Sequence, residues 1–491
     1  MTDAAILLDR AKAHDLLIDR CLIGDQWTGA DDGRTIAVTN PATGEHLAAV
    51  PDLGVAETRR AIDAAADALP GWAGRTARER STLLRRWFDA CMAAQESLAT
   101  LLTLEQGKPL AEARGEIAYG SAFIEWFAEE ARRTYGDTIP ANRPGQRIVT
   151  IKQPVGVVAA ITPWNFPNAM ITRKAAAALA AGCTIVIKPA SATPLSALAL
   201  AKLAREAGIP AGVINVVTGS ARAIGGELTA NPKVRKVTFT GSTEIGRVLL
   251  EQSAATIKKV SMELGGNAPF LIFEDADLDA AVAGVIISKF RNAGQTCVCA
   301  NRIYVADAIY DEFAARLAKA VAALKIGNGL AEVEIGPLID GAAVAKVEEH
   351  IADAIAGGAR IVLGGKRHGL GGSFFEPTIL VDVAQDALLM REETFGPVAP
   401  LIRFTDEASV IASANDTEFG LAAYLYTRDL ARAWRVGEAL DYGMVGINEG
   451  LISTEVAPFG GVKQSGLGRE GSRYGIEDYL EIKYMCLGGI A

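Results

Sequence analysis

Long apolar runs are missing from this sequence of 491 residues. Lys, Arg, Asp and Glu recur every few positions and interrupt each stretch that approaches the ~20 apolar residues that a membrane helix needs. Residues 1–20 resemble an amphipathic helix and carry neither the apolar core of a signal peptide nor the acid-poor composition of a transit peptide. We therefore expect no membrane segment and a cytoplasmic location.

Histidine is scarce, and positive charge is not in excess. The four histidines lie far apart, and neither His-x-x-x-His nor Cys-x-x-Cys spacing occurs, so no local zinc motif is present and we predict no metal. A net charge of −9 argues against a nucleic-acid partner, which would require a basic face. Small molecules are the more plausible partners.

Six cysteines are scattered over the chain, which argues against a disulfide framework and favours a reducing compartment. Cys297 differs from the others because small and polar residues surround it, in Gly-Gln-Thr-Cys-Val-Cys-Ala-Asn-Arg at 294–302. A thiol in such a loop is a candidate nucleophile, although a buried cysteine that only fills space is the alternative. The nucleophile hypothesis requires a base, an oxyanion site and an electron acceptor elsewhere in the chain.

The length predicts two or three domains. Between residues 155 and 275, short β-rich runs alternate with amphipathic helices. These runs are continuously apolar, as in strands that are buried on both faces of a parallel sheet, so they predict a doubly wound α/β domain. A second α/β pattern extends from about 275 to 460 and contains Cys297. We therefore expect the nucleotide site and the nucleophile to face each other across a cleft between two domains.

Two further segments read as exposed strands. Residues 134–152 are rich in Thr, Ile, Val, Arg and Pro, and residues 479–485 alternate polar and apolar side chains. Both are candidates for edge strands that pair with another subunit.

Polar residues at the ends of the predicted strands are candidates for binding and catalysis. Asn165 lies in a Pro-Trp-Asn-Phe-Pro turn that could direct its amide at an oxyanion, with a packed aromatic turn as the alternative. Lys188 and Ser191 follow a strand, where open α/β sheets bind ligands. The segment 239–246 passes from a strand into a helix, whose free N–H groups could bind a pyrophosphate. Each motif alone is a weak signal.

Two carboxylates complete the set of candidates. Glu263 precedes a Leu-Gly-Gly-Asn turn and is a candidate general base, because a partly apolar site would raise its pKa. Glu393, in Glu-Glu-Thr-Phe-Gly-Pro at 392–397, is a candidate ligand for ribose hydroxyls, and Phe395 for a planar ring. Exposed surface acids are the alternative reading for both carboxylates.

Together and in this order, the motifs resemble the aldehyde dehydrogenase superfamily from about residue 20 to the C-terminus. The motifs are Pro-Trp-Asn-Phe-Pro, Lys-Pro-Ala, Phe-Thr-Gly-Ser-Thr-Glu-Ile-Gly, Met-Glu-Leu-Gly-Gly-Asn, Gly-Gln-Thr-Cys, Glu-Glu-Thr-Phe-Gly-Pro and Pro-Phe-Gly-Gly. The resemblance implies a Rossmann-type cofactor domain, an α/β catalytic domain and a small β oligomerisation arm, in a homotetramer built as a dimer of dimers. The expected divisions are 1–132 with 153–262 for the dinucleotide-binding domain, 263–460 for the catalytic domain, and 133–152 with 461–491 for the arm and tail.

The resemblance also implies roles for individual residues. Cys297 would be the nucleophile, Asn165 and the Cys297 amide the oxyanion site, and Glu263 the base that activates the deacylating water. Residues at the cofactor would be Trp164, Lys188, Ser191, Gly241, Ser242, Gly246, Leu264, Glu393 and Phe395. Within this set, Lys188 and Glu393 would hold the two riboses, Ser242 the pyrophosphate, and Phe395 would border the nicotinamide.

Four runs narrow the resemblance, namely 169–174, 289–292, 449–453 and 475–486. With these runs the sequence looks like the succinate-semialdehyde dehydrogenase branch of the superfamily. That resemblance implies that Arg173, Arg291 and Ser453 bind the distal carboxylate of the substrate, with glutarate semialdehyde or a broader range of aldehydes as the alternative. Ser191 stands where many NAD-using relatives carry a glutamate that would repel a 2′-phosphate, so we expect NADP to be used, with NAD also accepted. The branch further suggests a reversible disulfide between Cys297 and Cys299, against the alternative of a neighbouring thiol without function.

Overall fold

The computed structural model describes residues 13–490. The part of the predicted N-terminal helix that falls on residues 1–12 lies outside the described residues. Within residues 13–490, twenty strands form four sheets. The strands are β1 (Cys21–Ile23), β2 (Gln26–Thr28), β3 (Thr35–Thr39), β4 (His46–Pro51), β5 (Thr138–Ile139), β6 (Arg147–Pro154), β7 (Val157–Ile161), β8 (Thr184–Lys188), β9 (Ile214–Val216), β10 (Val234–Thr240), β11 (Lys259–Glu263), β12 (Ala268–Ile272), β13 (Ala300–Ala306), β14 (Arg360–Leu363), β15 (Thr378–Val381), β16 (Val398–Phe404), β17 (Ala422–Tyr426), β18 (Met444–Ile447), β19 (Gly466–Leu467) and β20 (Leu480–Leu487).

Helices connect most of these strands. The α-helices are Val55–Ala73, Ala77–Ala93, Gln95–Gln106, Leu110–Glu130, Ala169–Ala181, Leu195–Glu206, Ala221–Ala230, Thr243–Ala254, Leu278–Val285, Tyr310–Val321, Gly341–Ala356, Leu388–Arg391, Glu407–Asn415 and Leu430–Ala439. The sequence predicts one helix over 78–105, whereas two helices meet there at Ala94. No proline or glycine interrupts the pattern, so tertiary packing rather than a helix-breaking residue ends the first helix. Across residues 13–490, no helix is both long and apolar enough to cross a membrane.

The first sheet has the strand order β19-β11-β10-β7-β8-β9-β1-β2, and its five central strands are parallel. From β7 the chain builds β8 and β9 on one side and then returns to build β10 and β11 on the other. The strand order therefore reverses between β7 and β10, and ligands of doubly wound sheets bind at such a point, outside the carboxyl ends of the strands.

Both faces of this sheet are covered, which explains the continuous apolar runs. In β7, Val158 and Ala160 belong to one buried cluster, together with Ile171 and Ile185. Val157 and Ala159 point to the opposite face and belong to a second cluster, with residues of the helix Val55–Ala73. Successive side chains of a strand point to opposite faces, so each strand must be apolar throughout.

The second sheet has the order β14-β15-β16-β13-β12-β17-β18 and is parallel except for the edge pair β14 and β15. Its core includes Phe270 and Leu271 of β12 and Ile303 of β13. The segment 264–267 alone separates β11 of the first sheet from β12 of the second. This short link holds the ends of the two sheets close together. The fold therefore agrees with the aldehyde dehydrogenase-like α/β architecture that the resemblance implied.

The two segments predicted as exposed strands pair with each other. Strand β20 is antiparallel to β6 over 480–487, and β6 also pairs with β5. In addition, the short strand β19 joins the first sheet beside β11. The division into domains stays a prediction.

Candidate active site

The carboxyl ends of four neighbouring strands of the first sheet, β11, β10, β7 and β8, lie side by side. Each strand either ends on a candidate residue or is followed by one. Register pairs Thr240 with Glu263 between β10 and β11, and Ile161 with Lys188 between β7 and β8. The turn that carries Asn165 follows β7 directly. The parallel sheet thus brings together four candidates that are up to about a hundred residues apart in the chain.

A cavity of about 240 Å³ lies at this edge. Eight of the predicted site residues line it, namely Trp164, Asn165, Gly241, Ser242, Leu264, Cys297, Glu393 and Phe395. The remaining lining residues are Pro163, Met170, Thr240 and Gly265, which the sequence did not single out. Because Cys297 lies in the turn that leads into β13 of the second sheet, the cavity is lined by residues from both halves of the molecule.

The backbone that leads to Cys297 is strained. A π-helical turn, Ile286–Phe290, is followed by three residues with positive φ, which are Asn292 at 51°, Ala293 at 54° and Gly294 at 77°. A Cβ at position 294 would lie 2.1 Å from the Gly396 carbonyl oxygen, so glycine is required there. Non-glycine residues adopt positive φ only where the surrounding structure imposes it, and such strain is often found at functional sites.

Asn165 ties the first half of the molecule to this loop. Its side-chain Nδ2 donates to the carbonyl oxygen of Gln295 at 3.0 Å. The backbone carbonyl oxygen of Asn165 accepts from Lys108 Nζ at 2.8 Å and from Asn292 Nδ2 at 3.1 Å. An asparagine NH2 carries two hydrogens, and this bond uses one of them. The second N–H can therefore serve an oxygen atom that develops charge beside Cys297.

The thiol of Cys297 is protonated in this environment. Burial, reinforced by the Glu393 carboxylate, raises the pKa of Cys297 to about 12, although the positive charge of Arg173 acts in the opposite direction. A thiolate is the nucleophilic form of cysteine. The thiol must therefore lose its proton when substrate and cofactor change the local electrostatics, or the proton must leave as the new bond forms.

Glu263 has the environment of a general base with a raised pKa. It ends β11 and is only 3% exposed, and its Oε2 has no hydrogen-bond partner among the described residues. Burial is the main cause that raises the pKa of Glu263 well above its usual range, and the charge of Glu470 adds to it. A carboxylate with a raised pKa accepts a proton from water more readily than an exposed one.

The start of the helix Thr243–Ala254 faces the cavity. Ser242 caps it, accepting from the backbone N–H of Ile245 at 3.4 Å. A Cβ at position 246 would lie 2.5 Å from Leu264 Cδ2, so Gly246 allows the helix to approach the link between the sheets. The hydroxyl of Thr240, which lines the cavity, is buried without a hydrogen-bond partner among residues 13–490. Free N–H groups at a helix start suit a phosphate, and the unpartnered hydroxyl points to a ligand.

Lys188 and Ser191 lie at the end of β8 and in the turn that follows it. Lys188 is 4% exposed, and burial lowers its pKa to about 8. Its Nζ donates to the Pro189 carbonyl oxygen at 3.0 Å, and the side chain of Ser191 is exposed. A buried lysine with no carboxylate partner is costly, which favours a ligand-binding role.

Glu393 and Phe395 form the opposite side of the cavity. Glu393 Oε1 accepts from the backbone N–H of Gly266 at 3.1 Å, and burial raises the pKa of Glu393 to about 8. The rings of Phe395 and Trp164 meet edge to face, with centroids 5.5 Å apart. Phe395 has a φ of 46°, a second case of positive φ beside the cavity.

Each of the two predicted arginines lies over an aromatic ring. The Cζ of Arg173 is 4.1 Å from the centroid of the Phe459 ring, and the Cζ of Arg291 is 5.3 Å from that of Phe166. Burial raises the pKa of Tyr119, and the charges of both arginines oppose this rise, so the tyrosine lies within reach of both. Within residues 13–490, Ser453 forms no hydrogen bond with either arginine, and its role stays a prediction.

Cys299 is turned away from solvent. It is fully buried, and its Sγ donates to the Gly294 carbonyl oxygen at 3.3 Å. Burial raises its pKa, and both Cys297 and Cys299 are free thiols. The predicted disulfide between them stays a prediction.

Several buried residues that support the site carry no signal in the sequence. Lys108 Nζ bonds Glu116 Oε2 at 2.5 Å, and Glu116 Oε1 accepts from the backbone N–H groups of Asn168 at 3.0 Å and Ala169 at 3.2 Å. This buried pair orients the turn that carries Asn165. Asn292 and Gln295 stand inside a motif that was recognised, but their contacts depend on the folded loop.

These features define a doubly wound α/β enzyme with a dinucleotide-type cleft and a cysteine at its mouth. The aldehyde dehydrogenase family model matches residues 27–485, and the chain belongs to this family.

Individual relatives are similar over nearly their whole length. A glutarate-semialdehyde dehydrogenase of Pseudomonas aeruginosa is 68% identical over 480 residues, which cover 98% of this chain and 99% of the relative. An NADP⁺ succinate-semialdehyde dehydrogenase of Escherichia coli is 68% identical over 475 residues, which cover 96% of this chain and 98% of the relative. The crystal structure of an E. coli NADP-dependent enzyme superposes with a TM-score of 0.96 at 68% identity, covering 97% of this chain and 99% of the other.

Proposed function

We propose that the protein oxidises succinate semialdehyde to succinate, with NADP preferred and NAD also accepted as cofactor. The observation that carries the proposal is the pair of arginines beside Tyr119, namely Arg173, whose charge also acts on the candidate nucleophile Cys297, and Arg291. Guanidinium groups bind carboxylates through parallel hydrogen bonds. An aldehyde with a distal carboxylate fits such a site better than an uncharged one.

The side chains supply a complete route for acyl transfer and hydrolysis. The Cys297 thiol loses its proton to water as its sulfur adds to the aldehyde carbon, and Asn165 Nδ2 with the Cys297 backbone N–H stabilises the resulting oxyanion. A nicotinamide dinucleotide, when bound, supplies the hydride acceptor that oxidises the carbon to the thioester level. Glu263 then takes a proton from water as the water attacks the thioester, which releases the carboxylate and restores the thiol.

The residues around the cleft fit a dinucleotide. The helix start at Ser242 offers N–H groups to the pyrophosphate, with Gly241 and Gly246 leaving room for close packing. Lys188 and Glu393 would hold the riboses, and Trp164, Leu264 and Phe395 would border the rings. Ser191 presents no carboxylate to repel a 2′-phosphate, and the name of the E. coli relative specifies NADP⁺. These two facts support the preference for NADP.

Glutarate semialdehyde is the second candidate substrate. The glutarate-semialdehyde dehydrogenases of Pseudomonas aeruginosa and Pseudomonas putida are each 68% identical to this chain. The two substrates differ by one methylene group, which is worth only about 1–3 kcal/mol in a pocket. Use of both substrates is consistent with the same pair of arginines.

The kcat/KM values for succinate semialdehyde, glutarate semialdehyde and propanal, each with NADP and NAD, test the proposal. We expect both acidic aldehydes to exceed propanal, succinate semialdehyde to exceed glutarate semialdehyde, and NADP to exceed NAD. A tenfold preference for NAD would contradict the argument from Ser191. A preference for propanal would contradict the proposed substrate class.

An Arg291→Ala variant should raise the KM for succinate semialdehyde about tenfold or more, because a charge-assisted hydrogen bond contributes about 1.5–3 kcal/mol. The KM for propanal should change little, since propanal has no carboxylate. Steady-state reduction of NADP at 340 nm measures both values. Arg428→Ala, at an exposed position, is the matched control. Equal effects on the two aldehydes would argue against a carboxylate-binding role.

The assembly that supports this activity is proposed to be a homotetramer in the cytoplasm. Strand β20 lies at the edge of its sheet, and its Ile482 is 69% and Tyr484 61% exposed. An exposed apolar edge strand favours pairing with another chain. A second edge strand, β18, ends the large second sheet and ends on the exposed Ile447.

A redox role for Cys299 is also a proposal. A disulfide with Cys297 would require Cys299 Sγ to leave the Gly294 carbonyl oxygen. A bridge across one intervening residue is strained and therefore easily reduced. Reversal of peroxide inactivation by dithiothreitol, absent in Cys299→Ala, would support it.

A further inference from the structure

A buried cluster of three charges lies behind the candidate substrate site. The two carboxylate oxygens of Glu470 are shared between two neighbouring residues of the helix Ala169–Ala181, with Oε2 accepting from Arg173 Nε and Oε1 from Lys174 Nζ. The side chains of Arg173, Lys174 and Glu470 are 1%, 0% and 5% exposed. Such a cluster is costly to bury and is retained where its geometry or charge serves a purpose.

The chain segment that carries Glu470 also contacts Glu263. Phe459 and Glu470 exchange backbone hydrogen bonds of 2.8 Å, and the Phe459 ring covers the Arg173 guanidinium. Next to Phe459, a Cβ at position 460 would lie 2.9 Å from Glu263 Oε1, so only glycine leaves room there. Gly466 in turn pairs with Glu263 as β19 joins β11. The segment 459–470 therefore touches both the arginine and the carboxylate.

Arg173 retains a donor that the cluster does not use. Its Nε is bound to Glu470, and its Nη1 donates to Tyr119 Oη at 3.4 Å. Its Nη2 is buried and has no hydrogen-bond partner among the described residues. An unsatisfied buried N–H of a charged group costs more than an ordinary unmade hydrogen bond, so this atom is available to an anionic ligand.

We propose that Glu470 is a positioning residue that sets both the orientation of the substrate-binding Arg173 and the charge around the general base Glu263. By holding Arg173 through Nε, Glu470 fixes the plane of the guanidinium and leaves Nη2 for the distal carboxylate of the substrate. By its negative charge, it offsets part of the positive charge of Arg173, Lys174 and Arg469, which act on Glu263. This inference rests on the proposed function.

The charges that act on Glu263 come from two elements. Arg173 and Lys174 belong to the helix Ala169–Ala181, and Glu470 and Arg469 belong to the C-terminal segment. After burial, Glu470 is the main cause that raises the pKa of Glu263, whereas Arg173, Lys174 and Arg469 lower it. Removal of Glu470 and removal of Lys174 should therefore change the base in opposite directions.

Two neutralising variants and two controls test this. The rate of succinate release after a single turnover with NADP is measured by rapid quench as a function of pH. This rate rises with pH as the carboxylic acid of Glu263 loses its proton and becomes the carboxylate that acts as the base. We call the rising part of this pH profile its acid limb. In Glu470→Gln the acid limb should move to lower pH, and in Lys174→Met it should move to higher pH. Glu470→Asp should retain the wild-type acid limb. Glu477→Gln should retain it too, because this change removes a carboxylate from an ion pair with Lys152 that lies outside the segment 459–470.

The orientation of Arg173 has its own readout. Glu470→Gln should raise the KM for succinate semialdehyde about tenfold, with little change in the KM for propanal, and Glu470→Asp should restore most of the loss. The inference would be overturned if the acid limbs of Glu470→Gln and Lys174→Met moved in the same direction, or if they did not move. If Glu470→Gln does not fold, Lys174→Met alone tests the inference. A move of its acid limb to higher pH would support the inference, and a move to lower pH would contradict it. A wild-type protein that fails to oxidise succinate semialdehyde would overturn the proposed function itself, before any variant is compared.

Discussion

A Cys297→Ala variant should lose aldehyde oxidation by a factor on the order of 10⁴ or more, because no other cysteine among residues 13–490 lines the cavity to form the covalent bond to the substrate carbon. The change removes only a small, partly buried side chain, so folding and cofactor binding should persist. Reduction of NADP with succinate semialdehyde measures the loss, and quenching of protein fluorescence by NADP measures the retained binding.

The environment of Cys297 adds a pH dependence to this prediction. With a pKa of about 12 in the ligand-free protein, the thiolate fraction at pH 7 is only about 10⁻⁵. Alkylation of Cys297 by iodoacetamide should therefore accelerate about tenfold per pH unit between pH 7 and 9. Cys486→Ala, at the exposed cysteine of the last strand, is the matched control and should keep full activity. Full activity of Cys297→Ala would exclude the covalent mechanism.

A Glu263→Gln variant should stop at the thioester. Glutamine has nearly the same shape but cannot accept a proton from water, so hydrolysis should slow by about 10²–10⁴-fold. Addition of Cys297 to the aldehyde does not require this base, because the thiol proton passes to water. Stopped-flow measurement at 340 nm should therefore record a burst of about one reduced cofactor per subunit, followed by very slow turnover.

The burst separates a catalytic role from a structural one. A variant that only misfolded would lose the burst together with the turnover. Glu251→Gln, which alters an exposed carboxylate on the helix that follows β10, should leave both phases unchanged. Normal turnover in Glu263→Gln would assign the water-activating role to another group.

Most strands of the two large sheets could be predicted because their local sequence already contains the reason for their burial, whereas β1, β2, β11 and β19 were not predicted. Thr184–Lys188 and Ala422–Tyr426 are apolar on successive residues and have the bounds that the sequence predicts. Because β8 and β11 run in the same direction in the first sheet, Lys188 and Glu263 must lie at the same end of its strands. Position after a strand is therefore a strong guide to a site in this class of fold.

The residues that support the site could not be predicted in the same way. Glu470 lies almost 300 residues from Arg173 in the chain, and its role depends on a segment that crosses between the sheets. The sequence around it, Gly-Leu-Gly-Arg-Glu-Gly, even has the spacing of a phosphate-binding loop, although no β-α-β unit encloses it. The strained loop at 292–294 is likewise imposed by contacts with Asn165 and Gly396. Long-range packing rather than local preference determines both features.

The protonated resting state of Cys297 also affects which cysteine is oxidised first. Peroxide attacks thiolates, and the susceptibility of a cysteine follows its thiolate fraction and its exposure. Cys297 and Cys299 both have raised pKa values, and Cys299 is fully buried. Among the described cysteines, Cys486 alone has an exposed side chain. In a subunit whose last strand is not covered by a partner, oxidative damage should therefore begin on that strand, far along the chain from the residue that performs the chemistry.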